Sequence, residues 1–331
     1  MSLVEQLRAG RGVAAGAPSA LTFDEQVVSA IPGAGLDAGT SQDRYKLWRD
    51  SRGGARPTEY LLPRIVRHIV CEWPRFMHRR PGAMPVEELR TELAELGPWY
   101  VPFALGDPGA DAVNTMEFTD NFGAAIFADD NAQRMQFRTE LIGGTLERLF
   151  GDELRDMDLL DVGCNSGWFS FDLAERGTRA VHGVDLRTNN IAQARFLRDY
   201  FGLDNAEFEV ADAMSFDDAR QWDVVLNLGL LYHVTDPLRL MQRTYELCRR
   251  YAILDTICHD EPFSGFVLFG AKNAEHPHEG REEWEFHPTY RGAVDALRYA
   301  GFREVIEIVA TDDTATGLYR DGGRRCFLAV K

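Results

Sequence analysis

Apolar positions recur at two different periods along this chain, and the change of period falls near residue 126. Ahead of it the rhythm is helical. Leu62, Ile65, Val66, Ile69, Val70 and Trp73 recur at i, i+3, i+4, i+7, i+8 and i+11, one apolar face of a helix. Pro63 suits the first turn of that helix and Pro74 ends it. A second helix is predicted from Pro85, with Glu87 and Glu88 near its positive end and Val86, Leu89 and Leu93 facing inward. "WYVPFALGD" (99–107) reads as a strand followed by a turn. Residues 1–57 alternate short apolar runs with Gly, Ala, Ser and Asp, a pattern of loops and weak helices or a mobile arm.

From about 126 the pattern alternates between strand and helix. A helix at about 129–150 precedes the strand "MDLLDVG" (157–163), and a further helix starts near 167. Then come "RAVHGVDL" (179–186), a helix near 188–202, "AEFEVAD" (206–212) and "WDVVLNLG" (222–229). A helix at 237–250, "YAILDTI" (251–257), a helix near 289–300, "REVIEIVA" (303–310) and "RRCFLAV" (324–330) complete the series. Such alternation predicts an α/β fold, a mostly parallel sheet covered by helices on both faces. Its binding sites belong at the carboxyl ends of the strands. The predicted organisation is a mainly helical accessory region at 1–125 and an α/β domain at 126–331.

Composition narrows the function classes. The formal net charge of −16 opposes docking on a polyanion, so nucleic acid is not the expected partner. Residues 44–80 run against that balance, with ten basic residues to three acidic ones, and are read mainly as a solvated helix face. No window offers the roughly 18 apolar residues of a membrane span. The first twenty residues lack the apolar core of a secretory signal. Cys71, Cys164, Cys248, Cys258 and Cys326 are scattered without a Cys-x-x-Cys pair, which predicts reduced thiols in a cytoplasmic protein.

Candidate chemistry concentrates in "DVGCNSGW" (161–168). A Walker-type phosphate loop requires a lysine after its last glycine, and none follows Gly167. A dinucleotide fingerprint requires glycine at 163, 165 and 168, where the chain has Gly163, Asn165 and Trp168. Asp161-Val162-Gly163-Cys164-Asn165-Ser166-Gly167 resembles instead the S-adenosylmethionine loop of class I methyltransferases, an acidic residue followed by x-G-x-G-x-G. Asn165 replaces the middle glycine, a mild departure because Asn tolerates the left-handed conformation. Asp185, 18 residues beyond Gly167, ends the next strand, where a carboxylate can accept both hydroxyls of a ribose; Leu186 adjoins it in the cofactor set.

The resemblance covers roughly 126–331 and implies S-adenosyl-L-methionine as the cofactor and a Rossmann-like sheet whose last strand is antiparallel. It implies that Asp212 and Ala213 contact adenine, and that the Asn227 side chain lies beside the sulfonium and the acceptor. Arg134 or Arg138, on the helix before the loop, would pair with the methionine carboxylate. "LGLLYHVTDPL" and "FHPTYRGAVDALRYAGFREV" resemble segments of the tRNA wobble-uridine carboxymethyltransferase group and of related small-molecule and sugar methyltransferases. That group holds a carboxylated cofactor with basic residues ahead of the glycine loop, whereas "PWYVPFALGDPG" carries no cation. Ordinary S-adenosylmethionine and a small acceptor are therefore expected, methylated on oxygen or nitrogen; amines, guanidines, sugars and natural products are the classes in view. The alternatives are a tRNA-modifying enzyme and a cofactor-binding scaffold without catalysis.

Catalysis is placed on His233, as acceptor or relay of the substrate proton, and on Tyr232, as the group that positions the acceptor. Asp255 is considered as the orienting partner of the histidine or as a substrate ligand. "CHDEPF" and "HPHEGREEWEFHP" contribute His259, Asp260, Glu261, His276, His278 and His287 to a long loop predicted to line an acceptor pocket; no metal site is expected from their spacing. Trp168 and Phe169 are read as core packing or a rim over the cofactor. The accessory region, having an apolar face and no core of its own, is expected to act as a lid or as the contact of a homodimer.

Overall fold

The computed structural model describes residues 84–106, 112–121, 131–270, 284–308, 317–320 and 322–331. The helix predicted at 62–73, the basic run at 44–80, the arm at 1–57, and His276 and His278 lie outside the described residues. The described chain falls into two compact bodies, divided between Phe216 and Asp217.

The first body, 84–216, begins with α1 (Val86–Glu95), which buries Leu89 and Leu93 and has Glu87 and Glu88 in its first turn. Only Ala104–Leu105 (β1) of the predicted strand at 99–107 pairs, with β2 (Val113–Asn114). Residues 99–103 are irregular backbone with buried side chains. Trp99 and Phe103 are fully covered, and Phe103 meets the rings of Trp168, Phe171 and Phe201 at centroid distances of 5.1, 6.1 and 6.3 Å. Trp99 satisfies its indole N–H on the Leu93 carbonyl at 2.7 Å. Aromatic burial overrides the strand periodicity here.

The helix expected at 129–150 is interrupted. α2 (Asn131–Thr139) passes into a π-turn at Glu140–Gly144 before α3 (Thr145–Phe150). Three parallel strands follow, β3 (Asp158–Val162), β4 (Ala180–Asp185) and β5 (Ala206–Val210), paired in that order. They alternate with α4 (Trp168–Glu175) and α5 (Thr188–Phe201), the latter closed by Gly202 in the left-handed conformation. The Gln193 amide on α5 donates to the carbonyls of Leu96 and Pro98, at 2.8 and 2.9 Å. That contact fastens the segment after α1 to α5.

The second body, 217–331, carries β6 (Trp222–Leu228) and α6 (Pro237–Leu247), which starts at Pro237 with Asp236 accepting from the Arg239 N–H. β7 (Cys248–Ile257) begins three residues earlier than the apolar run suggests. The stretch expected as a loop contains a hairpin, β8 (Phe266–Gly270) paired antiparallel with β9 (Trp284–Pro288). Next come α7 (Tyr290–Ala300), β10 (Glu304–Ile308), α8 (Gly317–Arg320) and β11 (Arg324–Val330). β6 and β7 are parallel, while β11 runs antiparallel to both β7 and β10. The α/β class, the mostly parallel strands and the antiparallel last strand are as expected. Among the described residues no helix is long and apolar enough to cross a membrane.

Candidate active site

In the first body, the turn between β3 and α4 takes three residues into left-handed backbone: Gly163 (φ 72°), Asn165 (φ 52°) and Gly167 (φ 89°). Gly167 has a second reason to lack a side chain, because a Cβ there would stand 2.9 Å from the Phe208 ring. Asn165 holds its strained position with its own amide oxygen, which accepts from the Ser166 N–H at 2.7 Å. The Ser166 hydroxyl lies 2.8 Å from Oε1 of Gln193, tying the turn to α5.

Asp161 and Asp185 end neighbouring strands and serve different purposes. Asp161 is buried and accepts from the Ser170 hydroxyl at 2.7 Å. Burial raises its carboxyl to about 7 against the Ser170 hydrogen bond, with the Asp185 charge adding to the rise and Arg138 opposing it. It braces the turn from beneath. Asp185 is half-buried; Oδ2 accepts from the Asn165 N–H at 2.9 Å, and Oδ1 from the Arg187 N–H at 2.9 Å and the Asn190 amide at 3.1 Å. Burial pushes its carboxyl above the ordinary range, and the three donors oppose that rise.

Beyond Asp185 the surface turns apolar: Leu186 is 38% and Val210 40% exposed. Asp212, half-buried two residues past β5, folds back to accept from the Met214 N–H at 2.9 Å, with Ala213 inside that turn. Arg138, half-buried on α2, places its guanidinium 4.7 Å from the Phe169 ring centroid. Phe169 and Trp168 are buried, and the Trp168 indole donates to Thr139 Oγ1 at 2.7 Å. Packing is thus the structural role of both. The body therefore brings together Gly163, Asn165, Gly167 and Asp185, with Leu186, Asp212 and Ala213 at the ends of the neighbouring strands.

In the second body, the Leu231–His233 turn after β6 carries Tyr232 and His233, whose rings lie 4.2 Å apart. The carboxylate facing His233 belongs to Glu285 on β9, with Oε1 3.0 Å from Nδ1. The other oxygen, Oε2, receives Nε2 of His287 at 2.7 Å, and His287 Nδ1 lies 3.2 Å from Nε2 of His259. Phe269 stacks on His259 at 5.1 Å and leans on His287 at 4.6 Å. Burial would raise the Glu285 carboxyl, but hydrogen bonds and charge from His233 and His287 overturn that and hold it at about 2. His259 moves down from the ordinary imidazole value, through burial and then the neighbouring His287.

Asp255, expected as a partner for the histidine, has another task. It is fully buried on β7 and accepts from Arg324 Nε at 2.6 Å and from the Tyr319 hydroxyl. Arg324 in turn lies with Nη1 3.5 Å from the Tyr232 hydroxyl, so Asp255 reaches Tyr232 through Arg324. Asn227, expected beside the reacting groups, is fully buried with its amide nitrogen 3.5 Å from Thr244 Oγ1 of α6. It faces helix packing. Among the described residues, no group of three or more His, Cys, Asp or Glu is arranged to hold a metal ion.

Sequence reasoning overlooks Glu285 and Arg324. Glu285 was legible in the alternation of "WEFHP", which puts Glu285 and His287 on one face of a strand. Arg324 carried no such signal, since its partner Asp255 lies far away in sequence.

The sequence model of the family described as "Methyltransferase domain" matches residues 134–290. Over 182 residues the chain is 30% identical to a ubiquinone biosynthesis O-methyltransferase of Ruegeria pomeroyi, covering 53% of this chain and 72% of that one. It is 30% identical over 116 residues to a tRNA U34 carboxymethyltransferase of Helicobacter pylori, covering 33% of this chain and 44% of that one. Among solved structures, the N-terminal domain of EvdMO1 with SAH bound aligns at a TM-score of 0.51 and 21% identity, over 76% of this chain and 98% of that one. The same domain crystallised with SAH and D-fucose aligns at a TM-score of 0.53 and 20% identity, with the same coverage. At those identities the structural likeness bears on the fold, a Rossmann-like α/β fold.

Proposed function

The chain belongs to the class I S-adenosylmethionine-dependent methyltransferases, and from that premise we propose that it methylates a hydroxyl oxygen of a small molecule, with His233 taking the acceptor proton. The observation that carries this reading is the placement of a half-buried imidazole, backed by a carboxylate, directly after β6.

The residues of the first body suit the cofactor. Asp185 offers a carboxylate whose inner lone pairs are already taken by N–H donors, leaving outward ones for vicinal hydroxyls. Leu186 and Val210 supply exposed apolar surface beside Asp212, as a purine with an exocyclic amine requires. The Asp185 carboxylate also disfavours a phosphorylated ribose. Arg138 is assigned to the methionine carboxylate, and Gly163, Asn165 and Gly167 to close backbone approach. Asp161 supports the turn from below, and Asn227 supports the β6 end through α6.

When bound, the sulfonium supplies an electrophilic methyl and departs as a neutral thioether. Residues of the chain do the rest. Tyr232, steadied by Arg324, orients the acceptor. His233 removes the hydroxyl proton as the oxygen attacks, and general-base catalysis of this kind contributes about 10²–10⁴-fold. Oxygen is favoured over a cationic amine because both oxygens of Glu285 already face imidazole nitrogens, which leaves neither turned toward an incoming cation.

A tRNA acceptor is the second reading, favoured by the basic run at 44–80. Against it stands the burial of Trp99, Tyr100 and Phe103, which spends the stretch ahead of the glycine turn on core packing. Isotope transfer from methyl-labelled S-adenosylmethionine to a panel of hydroxylated metabolites and to bulk tRNA tests the assignment. Label in a metabolite supports it. Label only in tRNA, with binding that falls steeply as salt rises, replaces it with the second reading.

A further inference from the structure

Two histidines, His233 and His287, converge on a single carboxylate in the second body, and a third, His259, reaches it through His287. Glu285 and His287 share one face of β9 because they are two residues apart, and Phe269 lies directly across from Glu285 in the hairpin register. The hairpin carries Glu285 to within 3.0 Å of His233 Nδ1.

We propose that Glu285 is the positioning residue of His233: it keeps the imidazole in the tautomer whose Nε2 bears the lone pair, and balances the charge when that nitrogen is protonated. This rests on the reading of His233 as proton acceptor.

An ionised carboxylate only accepts, so a neutral ring facing it must present N–H. His233 therefore carries its hydrogen on Nδ1, and His287 carries its own on Nε2. His287 Nδ1 is then an acceptor, and His259 Nε2 donates to it. Each ring sets the tautomer of the next, and all of them resolve on Glu285. The side chains of His233 and Glu285 are only 20% and 15% exposed, so the pair is partly shielded from water and correspondingly stronger. Nδ1 and Oε1 stand 3.0 Å apart but not in hydrogen-bond alignment; catalytic contacts are often poorly aligned in the free enzyme. The proton balance closes: the hydroxyl proton moves to Nε2, Nδ1–H stays in place, Glu285 remains ionised, and the imidazolium returns its proton to solvent after product release.

The test is long-range 1H–15N spectroscopy of the full chain labelled in its histidine rings, with His233 assigned by the signal lost in His233→Asn. The proposal expects His233 protonated on Nδ1 at neutral pH, and this reading needs no variant at Glu285. Glu285→Leu, close in volume and without an acceptor, is expected to move the hydrogen to Nε2 and to lower kcat by about 10²–10⁴-fold, with affinity for S-adenosylhomocysteine unchanged. Glu285→Asp is expected to restore part of both. A wild-type His233 protonated on Nε2, or a tautomer indifferent to Glu285→Leu, overturns the proposal. Full turnover in His233→Ala removes the proton-acceptor reading itself. An inactive His233→Ala beside a fully active Glu285→Leu removes only the role of Glu285.

Discussion

The backbone N–H of Asn165 reaches Oδ2 of Asp185 at 2.9 Å, across 20 residues of chain. This one bond couples the left-handed turn after β3 to the carboxylate that ends β4. It makes the shape of the turn and the orientation of the carboxylate a single property. Substitutions at either residue therefore act on the same site, and their effects are expected to be non-additive.

His233→Ala is predicted to separate catalysis from binding. Turnover on the acceptor found by isotope transfer should fall by about 10²–10⁴-fold. Calorimetric affinity for S-adenosylhomocysteine should hold, because the residues proposed to touch that ligand belong to the first body. Equal losses in both would assign His233 to packing.

Gly167→Ala is predicted to destabilise the chain by about 1–3 kcal/mol, the scale of a residue held in a disfavoured backbone conformation. The backbone at Gly167 has φ 89°, and the added methyl would meet the Phe208 ring at 2.9 Å. Denaturant unfolding measures the change. A midpoint equal to that of wild type would show that the turn relaxes freely.

Asp161 supplies a pH signature of stability. Its folded carboxyl titrates near 7, above the ordinary value of 3.8, so between those limits the folded state binds more protons than the unfolded one. Stability from this group is full below about 3.8, declines as pH rises, and is lost once pH passes about 7. Asp161→Asn keeps an acceptor for the Ser170 hydroxyl and should flatten that part of the profile, measured by unfolding midpoints from pH 4 to 7.5. An unaltered slope would place the proton elsewhere.

Much of the fold was legible because hydrophobic period is a local property. The alternation from β3 to β7, the strands β10 and β11, the turn at 161–167 and the position of Asp185 all read directly from spacing. Errors arose where tertiary contacts overrule local pattern. Trp99 and Phe103 alternate like strand residues, yet rings from α4 and α5 claim Phe103, and Trp99 packs on Phe103. The β8–β9 hairpin was hidden because its polar face, Glu285 and His287, looked like loop composition. Asp255 meets Arg324 and Tyr319 instead of the histidine, and those partners reach it only through the fold.

The most direct test is calorimetric titration of the full chain and of Asp185→Ala with S-adenosylhomocysteine. The account predicts one site per chain, weakened in the variant by about 1.5–3 kcal/mol, the scale of hydrogen bonds to a charged group, with the variant still folded. No binding by wild type, or the same affinity in both, would contradict it.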